Sequence, residues 1–359
     1  MRILIVPDSF KGSLTAQEVC RCIDAGLHQA APECVTELLP LADGGEGFTE
    51  CMLNICKGNK LYTETTDIYG RRCKAAIGVV GGSAVIDCAA ASGLQKRKDV
   101  MRASSYGTGD LIKFAVSQGF RDIILGLGGT GCCDGGAGAL VALGAKLYDE
   151  NYRPISRPCG NDLNSIFGAG FRDIVKDIHF TFACDVDNEY YGSNGAAAVF
   201  APQKGATPAQ VRTLDEGLKR LNAFLPRDIA QVKGAGAAGG ICGGLYAVYQ
   251  GDIRSGFEIL AEYAALEQRI SACDLVVTGE GKTDRQTLMG KLPYRVAQLA
   301  AKHGKQCVVL SGTVEEVRFG DRMLSLTDEK TDAATAMAHA AEILTEKSKC
   351  ILQNAENTI

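Results

Sequence analysis

The sequence predicts an α/β protein in which both chain ends build one parallel layer and the middle forms an inserted, mixed α+β domain. Three observations carry this expectation. Runs of buried-strand character recur at the two ends, ILIV (Ile3 to Val6), ELLPLA (Glu37 to Ala42), DLVVTG (Asp274 to Gly279) and CVVLSG (Cys307 to Gly312). They alternate with helical patterns over Thr15 to Gln29, Lys291 to His303 and Ala333 to Thr345, as in a parallel sheet covered by helices. Between them KLYTETTDIYG, RCKAAIGVVGG and SAVIDCA read as a meander of alternating strands joined by Gly turns. Helical and strand segments follow from Lys113 to Leu147, then a polar stretch and a further strand at His179 to Ala183. A chain of 359 residues exceeds what one core usually serves. The expected domains are therefore 1–45 with 271–359, and 46–270.

Composition narrows the function. The net charge is −4 and the sequence pI about 5.7, with Lys and Arg scattered, so the basic footprint of a nucleic-acid binder is missing. No apolar run approaches the roughly 20 residues of a membrane span, and MRILIVPDSF turns polar too soon for an export signal. A cytoplasmic protein is expected. The 15 cysteines are an odd number without a C-x-x-C, and the four histidines (His28, His179, His303, His339) lack neighbouring ligands. Buried reduced thiols fit this better than zinc, and the absence of G-x-S-x-G argues against a Ser-His-Asp hydrolase.

Several predicted strands end in a polar, Gly-rich loop, where open parallel sheets bind their ligands. PDSFKG follows ILIV and places Asp8, Ser9 and Lys11 before a helix start whose Thr15 and Glu18 have capping-box spacing. LADGGEGF sets Asp43 and Glu46 around two glycines, as a Mg²⁺ ion or a general base requires. SSYGTGD brings Ser104, Ser105, Gly107 and Thr108 to a helix start, suited to a carboxylate, a phosphate or plain capping. In IILGLGGTGCCDGGAG the glycines at 126, 128 and 131 match the dinucleotide pattern G-x-G-x-x-G, with Asp149 and Glu150 following. That match lies far inside the chain, however, and runs into CCDGGAG. FACDVDN carries Asp185 and Asp187 with Asn188 beside them, and Lys204 comes after a short apolar run. GAGAAGG, with a second weak match at Gly234, Gly236 and Gly239, permits close approach of a ligand or of a neighbouring strand. TGEGKTDRQTLMGK supplies Glu280, Lys282, Asp284 and Lys291 but is not a Walker A loop, because Val276 stands where that motif needs Gly. Each loop also admits a plain structural role as a turn or a cap. Carboxylates and lysines on Gly-rich loops with few histidines suggest phosphoryl transfer, which needs charge neutralisation and alignment more than covalent chemistry.

PDSFKGSLTA, PLADGGEG, AASGL, SSYGTGDLI, GLGGTGCCDGGAG, ACDVDN with PQKGA, GAGAAGG and TGEGKTDRQT with GKLP stand in this order along nearly the whole chain. In these segments the sequence resembles the bacterial glycerate kinase family. The resemblance implies an ATP- and Mg²⁺-dependent kinase that phosphorylates the 2-hydroxyl of D-glycerate, built on a Rossmann- or flavodoxin-like domain with a mixed insertion. The expected catalytic residues are Lys11, Asp43, Asp185, Asp187 and Asp284, with Asp185 and Asp187 also holding the metal. Ser9, Ser105, Gly107, Thr108 and Lys204 are expected on the substrate. Gly128, Gly129, Thr130, Asp134, Gly135, Gly136, Gly279 and Glu280 are expected on the nucleotide. The partner is a small molecule, neither nucleic acid nor membrane, and the chain a monomer or homodimer. The chain departs from the family pattern at Cys132 and Cys133, where an amide and a hydroxyl are usual, at Lys282, where Arg is usual, and at Arg295, where Gly is common. A NAD-dependent hydroxyacid dehydrogenase and a non-catalytic metabolite-binding protein are the alternatives.

Overall fold

The computed structural model describes residues 1–41 and 47–352. Contacts divide the chain into two compact units, Met1–Asp43 with Phe257–Ile359, and Gly44–Gly256. The sequence placed the second junction near residue 270. Helix Leu266–Ala272 instead groups with the first unit, where Glu267 bonds Lys302 Nζ at 2.6 Å and faces His303 Nε2 at 2.9 Å on helix Leu292–Lys302.

In the first unit, strands Val35–Leu38, Arg2–Pro7, Leu275–Thr283, Gln306–Val314 and Arg322–Ser325 lie side by side in that order, all parallel. Numbered along the unit, this is the order 2-1-3-4-5 of flavodoxin-like sheets. The central strands are apolar because helices cover both faces. Ile3, Ile5, Val277 and Leu310 pack with Val19, Ile23 and Leu344 from the helices. Helix Ala16–Ala30 opens on a reciprocal cap: Thr15 Oγ1 accepts from Glu18 N at 3.3 Å, and Glu18 Oε2 accepts from Thr15 N at 2.8 Å.

Two elements differ from expectation. The strand expected over Glu37 to Ala42 runs over Val35–Leu38, although Leu39 N and Leu41 N still donate to Ile5 O at 2.9 Å and Pro7 O at 3.3 Å; Ala42 lies outside the described residues. The helix expected over Ala333 to Thr345 is two helices, Ala333–Ala338 and Ala340–Lys349, broken where His339 leaves helical geometry at φ −116° and ψ 28°.

The second unit carries a mixed sheet in the order Asp252–Arg254, His179–Ala183, Asp122–Gly126, Ser83–Asp87, Arg72–Val80 and Asn59–Thr66. The first four strands are parallel. The last two extend it as antiparallel hairpins, the meander expected from their alternating pattern. Phe180 and Phe182 of strand His179–Ala183, second from one edge, stack at 5.2 Å between ring centroids.

Gly279 shows how tightly the first sheet is built. A Cβ there would lie 1.8 Å from the carbonyl oxygen of its register partner Leu310 on the adjoining strand. Gly279→Ala forces these strands apart and should destabilise the protein by about 1–3 kcal/mol, read as a lowered denaturation midpoint in urea.

Candidate functional site

Strand Asp122–Gly126 of the second unit runs into the loop Leu127–Gly136, which leads to helix Ala137–Ala142. The loop is accessible at Gly128 and Gly129 and buried from Thr130 onward. Asp134, 0% exposed, pins the buried part. Its Oδ2 accepts from Ser105 N at 2.7 Å, Ser105 Oγ at 2.8 Å and Gly138 N at 3.1 Å, while Oδ1 accepts from Gly136 N at 3.2 Å. Burial pushes its pKa up, against the pull of the Ser105, Gly138 and Gly136 donors. Lys204 ends a short 3₁₀ turn, Pro202–Lys204, and is 4% exposed. Its Nζ donates to Cys132 O at 2.7 Å and to Thr130 Oγ1 at 3.2 Å, and no carboxylate of a described residue pairs with it. GAGAAGG supports the loop from the other side: Gly135 N donates to Gly239 O at 3.0 Å, and a Cβ on Gly239 would lie 2.1 Å from Cys132 O. Of the two partners its glycines permit, the one present is a neighbouring backbone.

These contacts leave the tip free. Among the described residues, the N–H groups of Gly128, Gly129 and Thr130 meet no acceptor, and Gly129 has φ +72°. Consecutive N–H groups around a left-handed residue form an anion-binding concavity. Cys132 and Cys133 are fully buried beneath it, and burial pushes the Cys133 thiol up to about 12; both behave as packing groups.

The other loops of this unit hold their residues differently. Thr108 Oγ1 lies 2.7 Å from Ser92 Oγ, both buried. Gly107 accepts from Thr65 Oγ1 at 3.1 Å, and the helix that Ser105 precedes, Tyr106–Ser117, has no side-chain cap. Asp185 Oδ1 accepts from Ser255 Oγ at 2.7 Å and Gly256 N at 3.1 Å. Asp187 is open to solvent and faces Lys233 Nζ at 3.9 Å. Asp185 and Asp187 thus face different groups, and among the described residues no group of three His, Cys, Asp or Glu side chains is placed to hold a metal ion.

In the first unit the carboxyl ends of strands Arg2–Pro7, Leu275–Thr283 and Gln306–Val314 surround a cavity of about 330 Å³. Ser9, Lys11 and Glu280 line it together with Asp8, Lys282 and Lys291. Glu280 is buried. Its Oε1 accepts from Thr287 Oγ1 at 2.6 Å and Thr283 Oγ1 at 3.2 Å, and its Oε2 lies 3.8 Å from Lys291 Nζ. Desolvation raises its pKa, opposed by Thr287 and the Lys291 charge. Asp284 stands just beyond, accepting from Gln286 N at 2.8 Å and 3.7 Å from Lys282 Nζ. Lys282 also pairs with Glu315 at 2.7 Å. Arg295 bonds Gly290 O at 2.7 Å and lies over the Phe257 ring. Asp43 and Glu46 lie outside the described residues.

Within the second unit, the structure therefore brings together Ser105, Asp134 and Gly136, and separately Thr130 and Lys204; within the first, Ser9, Lys11 and Glu280. Sequence reasoning missed Ser92, Lys291 as the partner of Glu280, and Tyr190, whose buried hydroxyl donates to Gly135 O at 2.7 Å. GKLP contained Lys291, but no spacing signals that Tyr190 turns inward. Asn at 134 sets an NH₂ group against backbone donors. Asp134→Asn should cost about 1–3 kcal/mol of stability, measured by chemical denaturation, with Ser105→Ala milder because it removes only one of the donors.

A model of the Glycerate kinase family matches residues 3–356. The chain is 39% identical over 328 residues to a protein of Escherichia coli K12 named Glycerate 2-kinase, covering 88% of this chain and 86% of that one. It is 38% identical to a Haemophilus influenzae Rd protein named Glycerate kinase, covering 88% and 87%. A crystal structure of a chain described as glycerate kinase 2 of Salmonella typhimurium LT2 superposes with a TM-score of 0.88 at 36% identity, covering 99% of this chain and 98% of that one. Sequence and fold agree along the full length, and the chain belongs to the glycerate kinase family.

Proposed function

We propose that this enzyme transfers the γ-phosphoryl group of ATP to the 2-hydroxyl of D-glycerate, giving 2-phosphoglycerate and ADP. The observation that carries this reading is the tip of the Gly-rich loop: three consecutive backbone N–H groups without protein acceptors among the described residues, next to the buried ammonium that bonds Thr130. Such a site suits anionic phosphoryl oxygens, whose charge must be met throughout the transfer. The choice of the 2-hydroxyl is supported by the name of the Escherichia coli relative.

In this reading Gly128, Gly129 and Thr130 donate to the nucleotide phosphates, while Asp134, Gly135 and Gly136 fix the loop that presents them. Lys204 holds Thr130 in place and lends its positive charge. Lys11 and Ser9 offer a cation and a hydroxyl to an anionic ligand of the first unit, Ser105, Gly107 and Thr108, buried against Asp134, Thr65 and Ser92, support the loops of the second, and Asp284 and Asp43 are the further candidates for the hydroxyl proton. Mg²⁺ commonly takes one or two protein carboxylates and completes its shell with water and substrate phosphates. The donor chemistry here fits that habit, because Asp187 offers an accessible carboxylate and Asp185 is anchored by Ser255 and Gly256. Bound there, the ion would offset the charge of the β- and γ-phosphates. A dinucleotide site of the Rossmann type, by contrast, calls for a helix directly after the glycine pattern, whereas the next helix begins at Ala137.

The test is an assay with D-glycerate and Mg-ATP that reads ADP release separately from NADH absorbance. ADP should form in step with glycerate consumption, with no nicotinamide-dependent signal; the opposite pattern supports a dehydrogenase. Asp187→Asn should lower kcat by about 100-fold or more with the Kd for glycerate unchanged. Full turnover in that variant would remove Asp187 from the mechanism.

A further inference from the structure

Among the described residues the two large sheets end in four edge strands, and one of these is unlike the rest. Val35–Leu38 and Arg322–Ser325 have four residues each and Asp252–Arg254 has three, the short length by which proteins keep an edge from pairing with another chain. Asn59–Thr66 has eight. Arg72–Val80 pairs with it on one side, and among the described residues no hydrogen bond reaches the backbone of residues 59–63 from outside that hairpin.

The register shows which groups this edge presents. Asp67 N donates to Arg71 O at 2.8 Å, and the pairing continues in step from Thr66 with Arg72 to Asn59 with Val79. Successive residues of an antiparallel pair turn their N–H and C=O groups to alternate sides. Odd-numbered residues therefore bond the partner strand, and Lys60, Tyr62 and Glu64 point their backbone groups outward. Residues at this spacing also carry their side chains on one face. Tyr62 is 70% exposed there, with Lys60 two residues before it and Glu64 two residues after.

That pattern is self-complementary. Laid antiparallel to itself about Tyr62, the strand exchanges both N–H···O bonds between the two Tyr62 residues, sets their rings side by side and faces each Lys60 with Glu64 of the second copy. Within one chain Lys60 Nζ meets Glu50, and an ammonium has further donors for a second carboxylate. Glu64 stands opposite Lys74 in the hairpin register but makes no ion pair among the described residues.

We propose that two copies of this chain associate through Asn59–Thr66, as a two-fold antiparallel strand pair that joins their mixed sheets. A two-fold interface uses the same patch on both subunits, so each contact between Lys60 and Glu64 occurs twice. One strand and one aromatic ring per copy make an interface at the small end of the specific range, so the dimer is weak and depends on concentration.

Sedimentation velocity of the full chain tests this. The parent mass should rise from 37.9 kDa toward twice that value as concentration increases. Tyr62→Pro removes an outward N–H that the hairpin does not use, a place where an edge strand tolerates Pro. This variant should stay monomeric with the far-UV circular dichroism of the parent. Glu64→Lys sets ammonium against ammonium at both ends of the pair and should raise the dimer Kd by about fivefold or more, and Lys60→Glu should do the same with carboxylates. The double variant Lys60→Glu/Glu64→Lys restores opposite charges and should return the Kd to within about twofold of the parent. A parent that stays monomeric at every concentration, a Tyr62→Pro chain that dimerises as the parent does, or a double reversal as dissociated as the single ones would overturn the proposal.

Discussion

Asp134 and Lys204 are the constraint on which the Gly-rich loop depends. A carboxylate and an ammonium, both nearly excluded from water, would each cost several kcal/mol if left bare. Here each is met mainly by the chain's own polar groups: Asp134 by the backbone of Ser105, Gly136 and Gly138 and the Ser105 hydroxyl, Lys204 by the Cys132 carbonyl and the Thr130 hydroxyl. The result is a loop whose buried half has a fixed shape and whose tip keeps its N–H groups for something else. Preorganised donors of this kind need no reorganisation when charge develops, which is where electrostatic catalysis draws its advantage.

The two units solve the same problem with different material. In the second, backbone amides held from below face outward, and glycines let Gly135 and Gly239 approach as backbone on backbone. In the first, glycine serves the sheet itself, with Gly279 against Leu310, and the site beyond it is made of side chains: a buried Glu280 held by Thr283 and Thr287, and lysines around a hollow. Both sites stand at the carboxyl ends of parallel strands, so the sheet topology fixes where ligand chemistry can occur before any particular residue is chosen.

Much of this was legible in the sequence, for a physical reason. Buried parallel strands such as ILIV and DLVVTG leave little freedom in what they can form, and the Thr15–Glu18 cap marks its helix start by chemistry alone. The His179 to Ala183 strand appears with the bounds expected of it. What escaped depends on contacts between distant residues. Nothing local shows that Lys204 is buried, that Tyr190 reaches Gly135, or that the partners of Asp185 are Ser255 and Gly256, because each partner lies tens of residues away. A local signal was misleading at His339, where a helical pattern continued through a residue that ends the element.

The central claim is that these loops serve phosphoryl transfer to one hydroxyl of a three-carbon acid. The most direct measurement is ³¹P NMR of the purified protein with D-glycerate and Mg-ATP. The account predicts a growing resonance at the position of authentic 2-phosphoglycerate as the γ-phosphate signal of ATP declines. A resonance at the position of 3-phosphoglycerate, or no new phosphomonoester at all, would contradict it.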